Sequence, residues 1–145
     1  MLILKDAILE YSDKVENDFA IKLFGKIKKY CSVECDFSND KYCCVDYRIS
    51  QRNNPTNSIY LELKTRGKAY LKNKKMIINH SKMVNIDRCK YNKCILVWDF
   101  EGTIYYYNYN KNLIEYPAKI IQGQKVIQID KIDCSRGFSN LVDEI

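Results

Sequence analysis

The run Cys94-Ile95-Leu96-Val97-Trp98 limits what this chain can become more than any other segment. Successive side chains on a strand point to opposite faces, so an apolar run without polar alternation must be covered on both. The stretch from Lys93 to Phe100 therefore reads as an interior strand with one layer above it and another below. Glu101-Gly102 then turns the chain, and Thr103 to Tyr109 should return as its hairpin partner.

The remaining segments supply the layers. Asp13 to about Tyr30 reads as an amphipathic helix, because Val15, Phe19, Leu23, Ile27 and Tyr30 recur at steps of three and four. Asp13-Lys14-Val15-Glu16 has the form of an N-terminal cap, and Lys22, Lys26, Lys28 and Lys29 crowd the half where cations suit the helix dipole. Extended runs follow. Cys31 to Phe37 reads as an edge strand, and Tyr42 to Ile49 and Ile59 to Arg66 as a hairpin joined by the turn-rich residues 53–58. Met76-Ile77-Ile78 is a brief apolar piece, and His80 to Ile86 a short helix capped by Asn79 or Ser81. Gly123 precedes a last strand from Lys125 to Ile129, and Cys134 to Ile145 ends as a short helix. No repeat or linker divides the sequence. The expectation is one domain, 1–145, of mixed α/β (α+β) class, with a central mixed β-sheet flanked by helices.

Composition narrows the function classes. At 145 residues, 46% apolar and 29% charged, the chain suits a globular domain with a proper core. No apolar run approaches a membrane span, and Met1 to Asp6 is too short and too soon charged for a signal peptide. An intracellular location, cytoplasmic or nuclear, is expected. Seven cysteines without a secretory signal argue against a disulfide framework. Cys31 and Cys35, Cys89 and Cys94, and the adjacent Cys43 and Cys44 contain no Cys-x-x-Cys, and His80 is the single histidine, so buried free thiols are expected rather than zinc. The net charge of +6, from 24 Lys and Arg against 18 Asp and Glu, favours a polyanionic partner.

Within the proposed hairpin, the polar residues fall on one face. Glu62 and Lys64 project together, while Ile59, Leu61 and Leu63 line the other side; on the first strand Asp46 falls with Cys44 and Arg48, against Val45, Tyr47 and Ile49. Asp46 is an acid in an otherwise apolar strand. Two carboxylates and the backbone carbonyl of Leu63 are oxygen donors of the kind Mg²⁺ or Mn²⁺ prefers. Such an ion polarises a scissile phosphate, and an amine at Lys64 is placed to orient water or to neutralise charge on the phosphate. A surface ion pair between Asp46 and Lys64 is the competing account of the same residues.

Asp46 followed by Glu62-Leu63-Lys64 resembles the motif of the PD-(D/E)xK nuclease superfamily, with Val45 standing where proline is usual. The order of elements, a leading helix, a motif-bearing hairpin, a short helix and further strands, is also similar. The resemblance implies the restriction-endonuclease-like fold. It further implies a Mg²⁺- or Mn²⁺-dependent endonuclease that hydrolyses phosphodiester bonds in DNA, with Asp46, Glu62 and Lys64 catalytic and Asp46, Glu62 and the Leu63 carbonyl on the metal.

Glu16 either completes the helix cap or joins the metal as the helix acid of several relatives does. Lys82, on the short helix after the motif, is either a solvated lysine or the counterpart of the helix lysine or glutamine that approaches the site in family members. Arg48, Arg66, Lys68, Lys72 and Lys82 are the candidate nucleic-acid contacts. A resolvase-like homodimer specific for DNA structure is the implied assembly. The rival readings are a non-catalytic nucleic-acid-binding protein and a ribonuclease on the same fold. Tyr105, Tyr106, Tyr107 and Tyr109 could stack bases, but tyrosines packed in the core explain them more simply.

Overall fold

The computed structural model of the protein describes residues 18–19, 22–23, 31–35, 47–51, 54–89, 93–110 and 112–145. Along the chain the strands are β1 (Cys31–Cys35), β2 (Tyr47–Gln51), β3 (Asn54–Arg66), β4 (Lys75–Asn79), β5 (Lys93–Phe100), β6 (Thr103–Tyr109), β7 (Ala118–Ile121), β8 (Gln124–Asp130) and β9 (Ser135–Arg136). The helices His80–Cys89 and Phe138–Glu144 accompany them among the described residues. Among the described residues, six strands form one sheet in the order β1-β2-β3-β5-β6-β9, and three form a second in the order β4-β8-β7. The architecture is the expected mixed α/β one.

β5 sits inside the larger sheet and is buried on both faces, as its apolar run requires. Ile95 and Val97 join Leu61, Leu63 and Ile104 in one core, against Phe19, Leu23 and Leu141 from helical segments. Cys94, Leu96, Trp98 and Phe100 enter the other core, against Met76 and Ile78 of β4, Met83 and Ile86 of the helix His80–Cys89, and Ile127 and Ile129 of β8. The second sheet and that helix thus form the layer on one face, and the other helical residues cover the opposite face. Asp18, Phe19, Lys22 and Leu23 are helical, with Phe19 and Leu23 buried and the two charged residues exposed, as the periodicity requires.

β3 pairs antiparallel with β2 and parallel with β5. Parallel neighbours need a long crossover. Here it carries the 3-10 turn Lys68–Lys72, β4 and the helix His80–Cys89. Asn79 caps that helix: its Oδ1 accepts the Ser81 amide N–H at 2.9 Å and the Ser81 hydroxyl at 2.7 Å. Farther along the helix, the Tyr109 hydroxyl donates to Asp87 Oδ1 at 2.6 Å. Burial, and then the neighbouring Asp87 carboxylate, pushes the Tyr109 hydroxyl well above the usual tyrosine range, which keeps it a donor.

Three details differ from the sequence expectation. Residues 54–58 belong to β3 rather than to the connecting turn. Pairing jumps from Ser50↔Ser58 to Gln51↔Asn54, so Pro55, which has no N–H to donate, falls in an irregularity of the ladder. β7 was not anticipated, because Ala118-Lys119-Ile120-Ile121 carries no alternation and is largely exposed. It returns into β8 through Gln122 (φ 50°) and Gly123 (φ 77°), a two-residue turn like Glu101 (φ 50°) and Gly102 (φ 105°) between β5 and β6. β9, only two residues long, docks on β6 ahead of the last helix.

The tyrosines of β6 divide between the two cores, Tyr106 facing one and Tyr105, Tyr107 and Tyr109 the other. Cys94 is a buried thiol and Cys134 a part-buried one, neither in a disulfide; burial, helped by Asp133 and Asp130, pushes the Cys134 thiol up to about 11. Among the described residues no helix is long and apolar enough to cross a membrane. Leu96 packs between the sheets at 1% exposure, so Leu96→Ala is expected to cost about 2–5 kcal/mol in urea denaturation. Ile120→Ser, at an exposed position, should change stability by less than about 0.5 kcal/mol.

Candidate functional site

Alternation along β3 divides its side chains cleanly. Leu61 and Leu63 enter the core with Phe19 and Leu23, and Glu62 and Lys64 point to the other face, at the register of Leu96 and Trp98 on β5. That face is the one covered by the helix His80–Cys89. Glu62 is only 2% exposed, and it is the one buried charged side chain among the described residues.

Two ammonium groups meet its carboxylate. Lys64 Nζ lies 3.3 Å from Oε1, and Lys82 Nζ lies 3.3 Å from Oε2. Lys64 gets there by sharing a strand face two residues on. Lys82 gets there because Met83 and Ile86 anchor the helix in the core and Lys82 stands one turn before Ile86. From there its ammonium head reaches the acid. The lysine side chains are 25% and 28% exposed, so the carboxylate is covered while its cationic rim stays open to solvent. Burying a carboxylate costs solvation, and two close cations offset that cost.

The sequence candidates fall as follows. Glu62, Lys64 and Lys82 are brought together. Arg66 is exposed on the same face of β3, two residues beyond Lys64, and its Nη1 donates to the Thr65 carbonyl at 2.8 Å. Lys68 and Lys72 are exposed in the 3-10 turn, where the Lys68 amide N–H donates to Glu101 Oε2 at 2.9 Å. Arg48 takes the register position opposite Tyr60, and its side chain lies outside the described residues, as do Asp46 and Glu16 altogether. Tyr47, which follows Asp46 in the chain, pairs with Leu61, which precedes Glu62.

The donor chemistry bears on the implied metal. Glu62 offers hard carboxylate oxygens, the kind Mg²⁺ and Mn²⁺ take. Among the described residues no cluster of three or more His, Cys, Asp or Glu could hold an ion, and one carboxylate between two ammonium groups leaves a net positive pocket. A divalent cation fits there only with a further carboxylate. The approach of Lys82 to Glu62 has a weak sequence signal of its own, a lysine one turn before a buried isoleucine, which most surface helices also carry. Trp98 and Phe100, the register partners of Lys64 and Arg66 on β5, carried no signal beyond core packing.

No family model and no curated protein matches the chain. Among solved structures, it is similar to Hjc, a Holliday junction resolvase from the archaeal hyperthermophile Archaeoglobus fulgidus. The similarity covers 90% of this chain and 94% of that one, with a TM-score of 0.54 and 10% sequence identity. That likeness shows the restriction-endonuclease-like fold.

Lys82→Met removes one of the two cations and is expected to lower unfolding free energy by about 1–3 kcal/mol in urea titration. Adding Glu62→Gln to that variant should recover part of the loss. Wild-type stability in Lys82→Met would contradict the pairing.

Proposed function

We propose that this chain is a divalent-metal-dependent endonuclease that hydrolyses phosphodiester bonds in DNA, selecting branched or otherwise structured DNA. The observation that carries the reading is the buried Glu62 carboxylate with Lys64 beside it on β3, in a sheet of the restriction-endonuclease-like fold. The resolvase named among the structural relatives supports a structured DNA substrate. The proposed catalytic unit is the single domain 1–145, working as a homodimer.

In this reading Asp46 and Glu62 hold the metal, with the backbone carbonyl of Leu63 as a third oxygen and Glu16 completing the shell. The ion, when bound, supplies Lewis acidity toward a phosphate oxygen. The chain's own residues do the rest. Lys64, held at 3.3 Å by Glu62 Oε1, presents N–H donors that orient the attacking water and meet charge developing on the phosphate. Lys82, held on the other oxygen, adds a second cation at the same rim. Electrostatic preorganisation of this kind costs no rearrangement when the water adds to phosphorus and the P–O bond breaks. Arg66, Lys68 and Lys72 bind flanking phosphates, and Arg48 extends that surface.

The test is cleavage of a four-way junction and matched linear duplex DNA and RNA, with Mg²⁺, Mn²⁺ or EDTA. Cleavage of the junction is expected only with a divalent ion. Lys64→Ala, Glu62→Gln and Asp46→Asn should each slow it at least about 100-fold, while Lys64→Ala still binds the junction in EDTA. Undiminished cleavage by Asp46→Asn would remove that residue from the site. Salt-sensitive binding with no cleavage under any metal would leave a non-catalytic nucleic-acid-binding protein.

A further inference from the structure

The face of β3 that carries Glu62 and Lys64 continues to Arg66, and there the surface opens into a groove of about 360 Å³. Its floor is apolar, built from Met76 of β4, Val126 of β8, and the buried rings of Trp98 and Phe100 of β5. Its rim is polar, with Arg66, Asn73, Gln122 and Gln124. Tyr70 completes the rim at 55% exposure, and it is the one aromatic among the exposed large hydrophobic residues described. Lys68 and Lys72 flank Tyr70 in the same 3-10 turn and are exposed.

An apolar floor, an exposed ring, a guanidinium and side-chain amides are the complement of a nucleobase on an anionic backbone. Base faces stack on aromatic rings. A guanidinium pairs with phosphate or lies against a ring. Amides read the edges of bases. A purely apolar ligand would leave Arg66 and the amides unused, and a small anion would leave the floor unused.

We propose that this groove receives an unstacked nucleobase of the strand bound at the Glu62 site, a role that rests on the nuclease reading. At about 3.3 Å per residue, Arg66 lies roughly 13 Å along β3 from Glu62. That is about four base steps of a duplex strand at 3.4 Å each. The interior of a duplex offers no free base at that distance, whereas strand ends, flaps and branch points do. The groove therefore makes interrupted base pairing near the cut a condition for tight binding.

Trp98 is the single tryptophan of the chain, and its ring lines the groove, so its fluorescence reports occupancy. The experiment titrates the full chain in EDTA with a short single-stranded oligonucleotide and with an abasic strand of equal length. The base-bearing strand is expected to quench Trp98 and to bind about tenfold tighter, the scale of one base–aromatic stack. Tyr70→Ala should abolish that difference, and Gln124→Ala, on β8, should reduce it. Equal affinity for the two strands with unchanged Trp98 emission, or a full difference surviving in both variants, would overturn the proposal. The two readings fail separately. Junction cleavage without base-dependent quenching removes the groove and keeps the nuclease; quenching by the base-bearing strand in a chain that cleaves nothing removes the nuclease alone.

Discussion

Parallel pairing of β3 with β5 is the constraint on which the arrangement depends. Two parallel neighbours cannot be joined by a tight turn, so the chain leaves the end of β3 and travels across a face of the sheet before β5 begins. Everything placed along that route, the basic 3-10 turn, β4 and the helix His80–Cys89, ends up over the side of β3 that bears Glu62 and Lys64. A residue distant in sequence from the strand acid, Lys82, thereby becomes its neighbour. The apolar alternation of β3 and β5 secures the geometry from behind: a slip of one residue would put Leu61 and Leu63 on the face of the two lysines and Glu62 into the core of Phe19 and Leu23.

The electrostatics follow from that burial. A lone carboxylate at the depth of Glu62 would be heavily penalised, and cations on two different elements meet it there. Both lysines remain partly wet, so the rim stays accessible to an anionic ligand while the acid is shielded. This is an economical way to hold two cations at a surface without exposing the negative charge that gathers them. The surplus of cations also explains why the pocket calls for another acid if a divalent ion is to join Glu62, and Asp46 is the residue proposed for that part.

Much of the fold was legible in the residues because hydrophobic pattern and turn chemistry agreed. The unbroken run at Cys94 to Trp98 marked the interior strand, Glu101-Gly102 marked its hairpin, and Asn79 or Ser81 marked a helix start, of which Asn79 is the cap. β7 escaped because its residues are mostly exposed and its partner supplies the order. The bulged start of β3 escaped because Asn and Pro usually signal turns, and here the ladder accommodates them. In the candidate site, period-two alternation was enough to put Glu62 beside Lys64. The contact of Lys82 is tertiary, set by how the helix packs, and the sequence held only a weak local sign of it, a lysine one turn before Ile86, beside the family resemblance. The groove beside Arg66 is likewise a product of two sheets meeting, since its floor residues are separately indistinguishable from core.

The bond from the Tyr109 hydroxyl to Asp87 has a mechanical meaning for this arrangement. Asp87 stands five residues, roughly 7.5 Å of axial rise, beyond Lys82 on the same helix. The helix is thus moored near its far end to β6 and capped at its near end by Asn79, leaving it little freedom to tilt. The reach of the Lys82 ammonium is accordingly governed by a clamp at a distance, and loosening a tyrosine two strands away from β3 would let that cation swing out of range.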